Sequence, residues 1–242
     1  MNYRESTILT SQNSKTIKGE KIGIKTLILY LSPHKDNSKG KNLCPKASAG
    51  CAKACLFNAG FGGMYTSVRD ARRNKTEWFL NNRASFMAKL IKEINGNIKK
   101  YQKDWEINVR LNGTSDIVWE NIKYQGKNIF EMFPDIQFYD YTKIDRRFSK
   151  PLPPNYHLTF SRSEENEKES MDILKKGFNV AWVFNELPKE YNGYKVINGD
   201  ESDVRTQDEK NVIVGLKYKN ATGKNGGELN RHAKTSGFIT VT

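Results

Sequence analysis

The chain holds its three cysteines in one short run, Cys44-Pro-Lys-Ala-Ser-Ala-Gly-Cys51-Ala-Lys-Ala-Cys55. Gathering every thiol of 242 residues into one segment points to a shared task. Three thiolates on one loop supply three of the four ligands of a zinc ion, or three corners of an iron–sulfur cluster. Zinc needs a fourth ligand, and the imidazoles on offer are His34, His157 and His232. A 4Fe-4S cluster on three cysteines leaves one iron open to a substrate or cofactor group. The bland alternative is three small apolar side chains packed in a core.

The next chemistry-bearing segment is Arg110-Leu-Asn-Gly-Thr-Ser-Asp116. Asn112, Gly113 and Asp116 are candidate ligand contacts there. Asp116 suits a general base, a nucleophile or the N-cap of a helix beginning at Ile117. Further along stand Asp140 and Lys143 in Tyr139-Asp-Tyr-Thr-Lys143, then Ser161 and Arg162 in Ser161-Arg-Ser-Glu164. Lys143, Arg162 and Arg205 bring positive charge suited to phosphate or carboxylate. Ser163 with Glu164 to Glu167 reads as a helix cap.

These residues need elements to hold them. Lys25 to Leu31 is a continuous apolar run that reads as a buried strand. Six more strand signals follow, at 107–111, 136–141, 157–160, 180–184, 195–197 and 212–216. Between the first two runs a helical pattern extends from Thr66 to Tyr101. It carries Trp78, Phe79, Phe86, Leu90, Ile91 and Ile94 near one face, with a break expected at Gly96. Residues 117–133 read as partly helical and 164–176 as a helix stopped by Gly177. One turn of helix would put Cys51 and Cys55 on one face. The glycines of Gly60-Phe-Gly-Gly63 imply a sharp turn.

Strands alternating with helices predict an α/β fold of parallel units. Without a dinucleotide-binding glycine fingerprint, we expect one (β/α) barrel or partial barrel over 1–242, with an N-terminal extension at 1–24 and a basic flexible loop at 217–237. In that architecture the cysteine loop and the polar segments all leave the carboxyl ends of strands. They would form one ligand-sized rim. His232, in the basic tail, is a further catalytic candidate.

The net charge of +13 and pI near 9.5 make a polyanion a natural partner, nucleic acid above all, although a lysine- and asparagine-rich composition alone produces the same surplus. No apolar run reaches the length of a membrane span, and the first residues lack a signal-peptide core. A cytoplasmic setting without membrane association is expected, where clustered cysteines serve as ligands or reactive thiols more often than as disulfides.

Two resemblances extend this reading. A three-cysteine loop after the first strand of a partial barrel is similar to that of radical S-adenosylmethionine enzymes. Their usual spacing is C-x3-C-x2-C, whereas this chain has C-x6-C-x3-C. The likeness implies a 4Fe-4S cluster on Cys44, Cys51 and Cys55, with S-adenosylmethionine bound beside it and Asp116 taking its amine. Asn112, Gly113, Ser161 and Arg162 would be further cofactor contacts, with Asp140 and Lys143 as other catalytic candidates. The substrate expected is a nucleotide or a nucleic-acid base. The alternatives are a zinc-containing, transglycosylase-like barrel using Asp116 or Asp140 as nucleophile, and a zinc-stapled module that binds nucleic acid or a host protein.

The second resemblance is carried by SQNSK (11–15), CPKASAGCAKACLFNAGFG (44–62), VRLNGTSD (109–116), FYDYTK (138–143), TFSRSE (159–164), and NVIVGLKYKNATGK with TSGF near the end. Together these resemble the phage and plasmid family known after a mycobacteriophage gene-88 product. That family usually has an aromatic after the third cysteine and His-x-x-Gly-Asp at the second site. Here Leu56 and Asn112-Gly-Thr-Ser-Asp116 stand in those places. The resemblance implies a mobile-element origin and a barrel-like fold, without a settled activity.

Overall fold

A computed structural model describes residues 7–12, 16–55, 64–221 and 226–242. Leu56 and the 60–63 turn lie outside the described residues. The chain opens with β1 (Leu9–Thr10), α1 (Thr16–Glu20) and β2 (Ile24–Leu29), followed by the cysteine-bearing α2 (Ala49–Lys53). Two long helices come next, α3 (Thr66–Asn81) and α4 (Arg83–Tyr101), then β3 (Glu106–Arg110). The second half runs α5 (Ile129–Met132), β4 (Gln137–Thr142), β5 (Tyr156–Ser161), α6 (Glu167–Lys175), β6 (Val180–Phe184), β7 (Glu190–Tyr191), β8 (Tyr194–Asn198), β9 (Ile213–Lys217) and α7 (Gly226–Thr235).

The strands form one sheet in the order β1-β2-β3-β4-β5-β6-β9-β8-β7. β2 through β6, with β9 and β8, are mutually parallel, and the short β1 and β7 pair antiparallel at the two edges. The seven expected strands are these parallel ones. A closed barrel is not formed: the sheet ends at β1 and β7. Nor does it grow in simple chain order, because β9 inserts between β6 and β8.

Period-two alternation decides what each strand shows to each side. Leu27, Leu29, Val109, Leu111, Phe138, Leu158 and Phe160 face the helices, buried with Trp78, Phe79, Phe86, Leu90 and Ile94 of α3 and α4. Each such side chain contributes on the order of 2 kcal/mol by leaving water. Edge-to-face rings, Trp78–Phe86 at 5.5 Å and Phe79–Phe86 at 5.3 Å, fix how the two helices meet each other. The opposite face is polar yet also buried: Thr26, Asn108, Arg110, Tyr139 and Thr159 lie on it. The segment after β8 crosses that face, burying Val204 and Arg205.

Several local expectations change. The long helix breaks at Asn82, whose side chain caps α4 by accepting from Ser85 N–H at 3.1 Å. Gly96 stays helical, with open space where its side chain would be. The N-terminal extension contributes β1 and α1. Of the basic loop expected at 217–237, Lys217 closes β9 and Gly226–Thr235 form the helix α7, while 222–225 lie outside the described residues. Among the described residues no helix is long and apolar enough to cross a membrane.

Candidate functional site

The loop after β2 folds back on itself through His34, which holds a positive φ of 52°. Leu43 N–H donates to the His34 carbonyl at 3.0 Å and returns Cys44 to the strand end. Asp116 N–H then donates to the Leu43 carbonyl at 2.8 Å, and the Cys44 thiol lies 3.7 Å from the Thr114 carbonyl. The cysteine loop is thereby bolted to the 112–116 loop that follows β3.

A second bolt comes from β5. Ser48 caps α2 by accepting from Cys51 N–H at 3.1 Å. Its own hydroxyl donates to Glu164 Oε2 at 2.8 Å, and Gly50 N–H donates to Glu164 Oε1 at 2.6 Å. A side chain at Gly50 would meet that carboxylate at 2.5 Å, so glycine permits the approach. Glu164 therefore clamps the cysteine helix instead of capping its own. α2 ends at Lys53 with Ala54 as C-cap, so Cys55 lies just past the helix and not on one face with Cys51.

All three cysteines are half-buried, and none forms a disulfide. They line one cavity of about 260 Å³ at the carboxyl ends of the strands, together with His34, Asn112, Gly113, Asp116, Lys143 and Ser161. Burial pushes the Cys44 thiol up to about 12, with Cys55, Asp116 and Cys51 adding to the rise and a backbone hydrogen bond from His34 opposing it. A cation bound here must therefore displace a proton from Cys44. Burial, then Lys143, lowers the pKa of His34, which keeps its imidazole neutral and able to donate a lone pair.

Asp116 does not cap a helix. Its Oδ2 accepts from Lys143 N–H at 2.8 Å, and its side chain is 11% exposed. The other oxygen, Oδ1, makes no hydrogen bond, although Arg147 Nη1 stands 3.7 Å away in ion-pair range. Burial raises its pKa, against the pull of Lys143, Thr142 and Arg147. Lys143 spans the cavity wall to donate to Ser161 Oγ at 2.7 Å. Gly113 N–H is spent on the Leu29 carbonyl at 2.9 Å, and a side chain there would strike Tyr30 and Leu29. Its part is close packing of the loop on β2.

Strand parity sorts the remaining candidates. Asp140 shares the helix-side face with Phe138 and is completely buried outside the cavity. Its Oδ1 accepts from Asn112 N–H at 2.7 Å and its Oδ2 from Asn112 Nδ2 at 3.3 Å and Tyr156 OH at 3.0 Å. Burial, offset in part by Arg110 and Asn112, lifts its pKa to about 7. Asp140 supports the 112 loop and cannot act as a nucleophile in the cavity. Arg162 follows the same parity. It lies 4.9 Å over the Trp182 ring, donates to the Gly237 and Phe238 carbonyls, and pairs with Glu167 at 2.6 Å. It anchors the C-terminal segment, away from any ligand in the cavity. His157, near the start of β5, and His232, on α7, do not line the cavity either.

Asn112 is a hub. Its Oδ1 accepts from Ser115 Oγ at 2.9 Å, Ile117 N–H at 2.9 Å and Trp119 Nε1 at 3.2 Å, while its Nδ2 also donates to the Ile117 carbonyl at 3.0 Å. That network fixes the loop that presents Asp116.

The segments joined in this site are the ones on which the family resemblance rests. The family model for gene product 88 matches residues 7–240, nearly the whole chain. The chain belongs to that family. Among curated proteins and among solved structures, no significant match was found. For this member of the gene-product-88 family, the site must therefore speak through its own chemistry.

Two metal arrangements can be tested against that chemistry. A single zinc ion needs its donors gathered at one point. Among the described residues no three His, Cys, Asp or Glu side chains are so gathered. A cluster places each thiolate on a different iron and bridges donors set farther apart on one wall. The three thiols line one shared cavity.

Proposed function

We propose that the cavity is an active site in which Cys44, Cys51 and Cys55 hold an iron–sulfur cluster and S-adenosylmethionine binds beside it, the substrate being a nucleotide or a nucleic-acid base. One observation carries this reading. Three thiols and the largely buried Asp116 carboxylate share one cavity at the carboxyl ends of parallel strands. A run of parallel strands added mostly in chain order, with the core helices on one face, is in keeping with a partial-barrel scaffold.

A cluster with three cysteine ligands supplies one-electron chemistry at its open iron. The chain's own residues do the rest. The part of the Asp116 carboxylate that lines the cavity accepts a ligand ammonium, with Lys143 N–H and Arg147 fixing its orientation. Lys143 Nζ and Ser161 Oγ, already 2.7 Å apart, form a small cationic clamp for a carboxylate. Asn112 and Gly113 hold the loop that aims Asp116. The zinc-bearing readings would draw on His34 with the same thiols. The transglycosylase-like version loses Asp140 to the protein interior and keeps Asp116.

Equilibrium dialysis of anaerobically purified protein against S-adenosylmethionine tests the assignment. Asp116→Asn removes one charge-assisted contact and is expected to weaken binding about tenfold with metal content unchanged. Only the carboxylate grips an ammonium, and burial raises the folded pKa of Asp116. Wild-type affinity should therefore climb as pH rises from the ordinary carboxylate value through that raised value, while Asp116→Asn stays flat. Equal, pH-independent binding by both proteins would remove Asp116 from the site.

A further inference from the structure

The cavity has a second wall that the cysteines do not explain. It is built by α1, the end of β3, the segment after β8 and the end of β9, which bring together Lys18, Arg110, Asp200, Asp203, Lys217 and Lys219. Four of these side chains are basic and two acidic, and the acids are already engaged. Asp200 accepts from Lys217 N–H at 2.8 Å and pairs with Lys219 at 2.9 Å, while Lys18 reaches its backbone carbonyl. Asp203 pairs with Arg110 at 2.8 Å. Two positive charges are left over.

With Arg110 on Asp203 and Lys219 on Asp200, the surplus belongs to Lys18 and Lys217. Arg110 is 5% exposed, held 4.7 Å over the Tyr141 ring, and its Nε has no hydrogen-bond partner. A buried guanidinium N–H left bare is costly unless something completes it. Lys217 is exposed, and among the described residues its ammonium makes no ion pair, although its backbone N–H is fixed on Asp200. Lys18 and Lys219 flank it with their own donors partly used.

We infer that this wall binds the phosphate of a small phosphorylated molecule, whose other end then points at the thiols. The inference deepens the reading above: it requires the cavity to be a substrate site, but it does not require the cluster. A phosphate carries nearly two negative charges and three acceptor oxygens, which matches a two-charge surplus better than a carboxylate does. A nucleic-acid polymer would call for a basic track running on across the surface. Here Lys18, Arg110, Lys217 and Lys219 lie on one wall of a cavity of about 260 Å³, the scale of one small ligand.

Isothermal titration of the full chain with inorganic pyrophosphate at fixed ionic strength tests this. The wild type is expected to bind. Lys217→Ala combined with Lys219→Ala, both at exposed positions, is expected to weaken binding at least about tenfold. Lys99→Ala with Lys100→Ala, at the far end of α4, is the matched control for lost charge and should leave affinity unchanged. Absence of binding, equal weakening by the control pair, or preference for a single-stranded oligonucleotide over pyrophosphate would overturn the inference. Iron is measured on the same preparation. Pyrophosphate bound with the expected selectivity by protein that takes up no iron on reconstitution would sink the cluster and leave the phosphate wall standing.

Discussion

Asn112→Ala is expected to lower unfolding free energy by about 4 kcal/mol, the largest single-residue effect outside the apolar core. The substitution strips partners from Trp119 Nε1, Ile117 N–H, the Ile117 carbonyl, the Ser115 hydroxyl and Asp140 Oδ2. Trp119 and Asp140 are completely buried, so water cannot replace what is lost. Each stranded donor or acceptor costs on the order of 1–3 kcal/mol, with partial relaxation keeping the total below a simple sum. The midpoint of urea unfolding, with an unchanged slope, is the readout. A shift worth less than about 1 kcal/mol would show that the 112–119 loop does not rely on this hub.

Glu164→Ala is expected to act on the cysteine helix before the rest of the fold. The change removes the acceptor of the Ser48 hydroxyl proton and of Gly50 N–H at the start of α2, both buried. Hydrogen bonds to a charged acceptor contribute about 1.5–3 kcal/mol each, and α2 is only five residues long. Cys51 therefore loses its fixed position. Metal retention under a chelator should fall several-fold, whereas urea unfolding of the metal-free chain should move by about 2 kcal/mol. Glu164→Gln keeps one acceptor for the same donors and should recover part of the metal retention. Metal held equally well by all three proteins would show that Glu164 has no part in presenting the thiols.

How far the sequence carried these conclusions depended on distance along the chain. Strand positions were legible because Leu27, Leu29, Val109, Leu111 and Phe138 announce burial locally. The convergence of Cys44, Asp116, Lys143 and Ser161 followed from one rule, that loops after parallel strands share a rim, and the cavity brings those four together. Parity along the strands is the signal that separates the remaining candidates. Asp140 is two residues from Phe138, and Arg162 two from Phe160, so both belong to the face turned toward the helices. The clamp by Glu164 was not legible at all. An acidic residue followed by Glu165 and Glu167 looks like an ordinary helix start, and its partners lie 114 and 116 residues away. Breaking the long helix at Asn82 and not at Gly96 has the same lesson: an exposed glycine costs a helix only about 1 kcal/mol, while a side-chain cap sets a boundary. The order of the last strands was hidden too, since no local pattern in Tyr194–Asn198 says that β9 will enter beside β6.

Iron and acid-labile sulfide per chain, read with the absorption spectrum of protein prepared without oxygen, bear most directly on the site. A brown protein with about four irons and matching sulfide, lost in Cys44→Ala, is the expected result. A colourless protein that takes up no iron on reconstitution, or that holds a single zinc on these thiols, would contradict the proposed cluster.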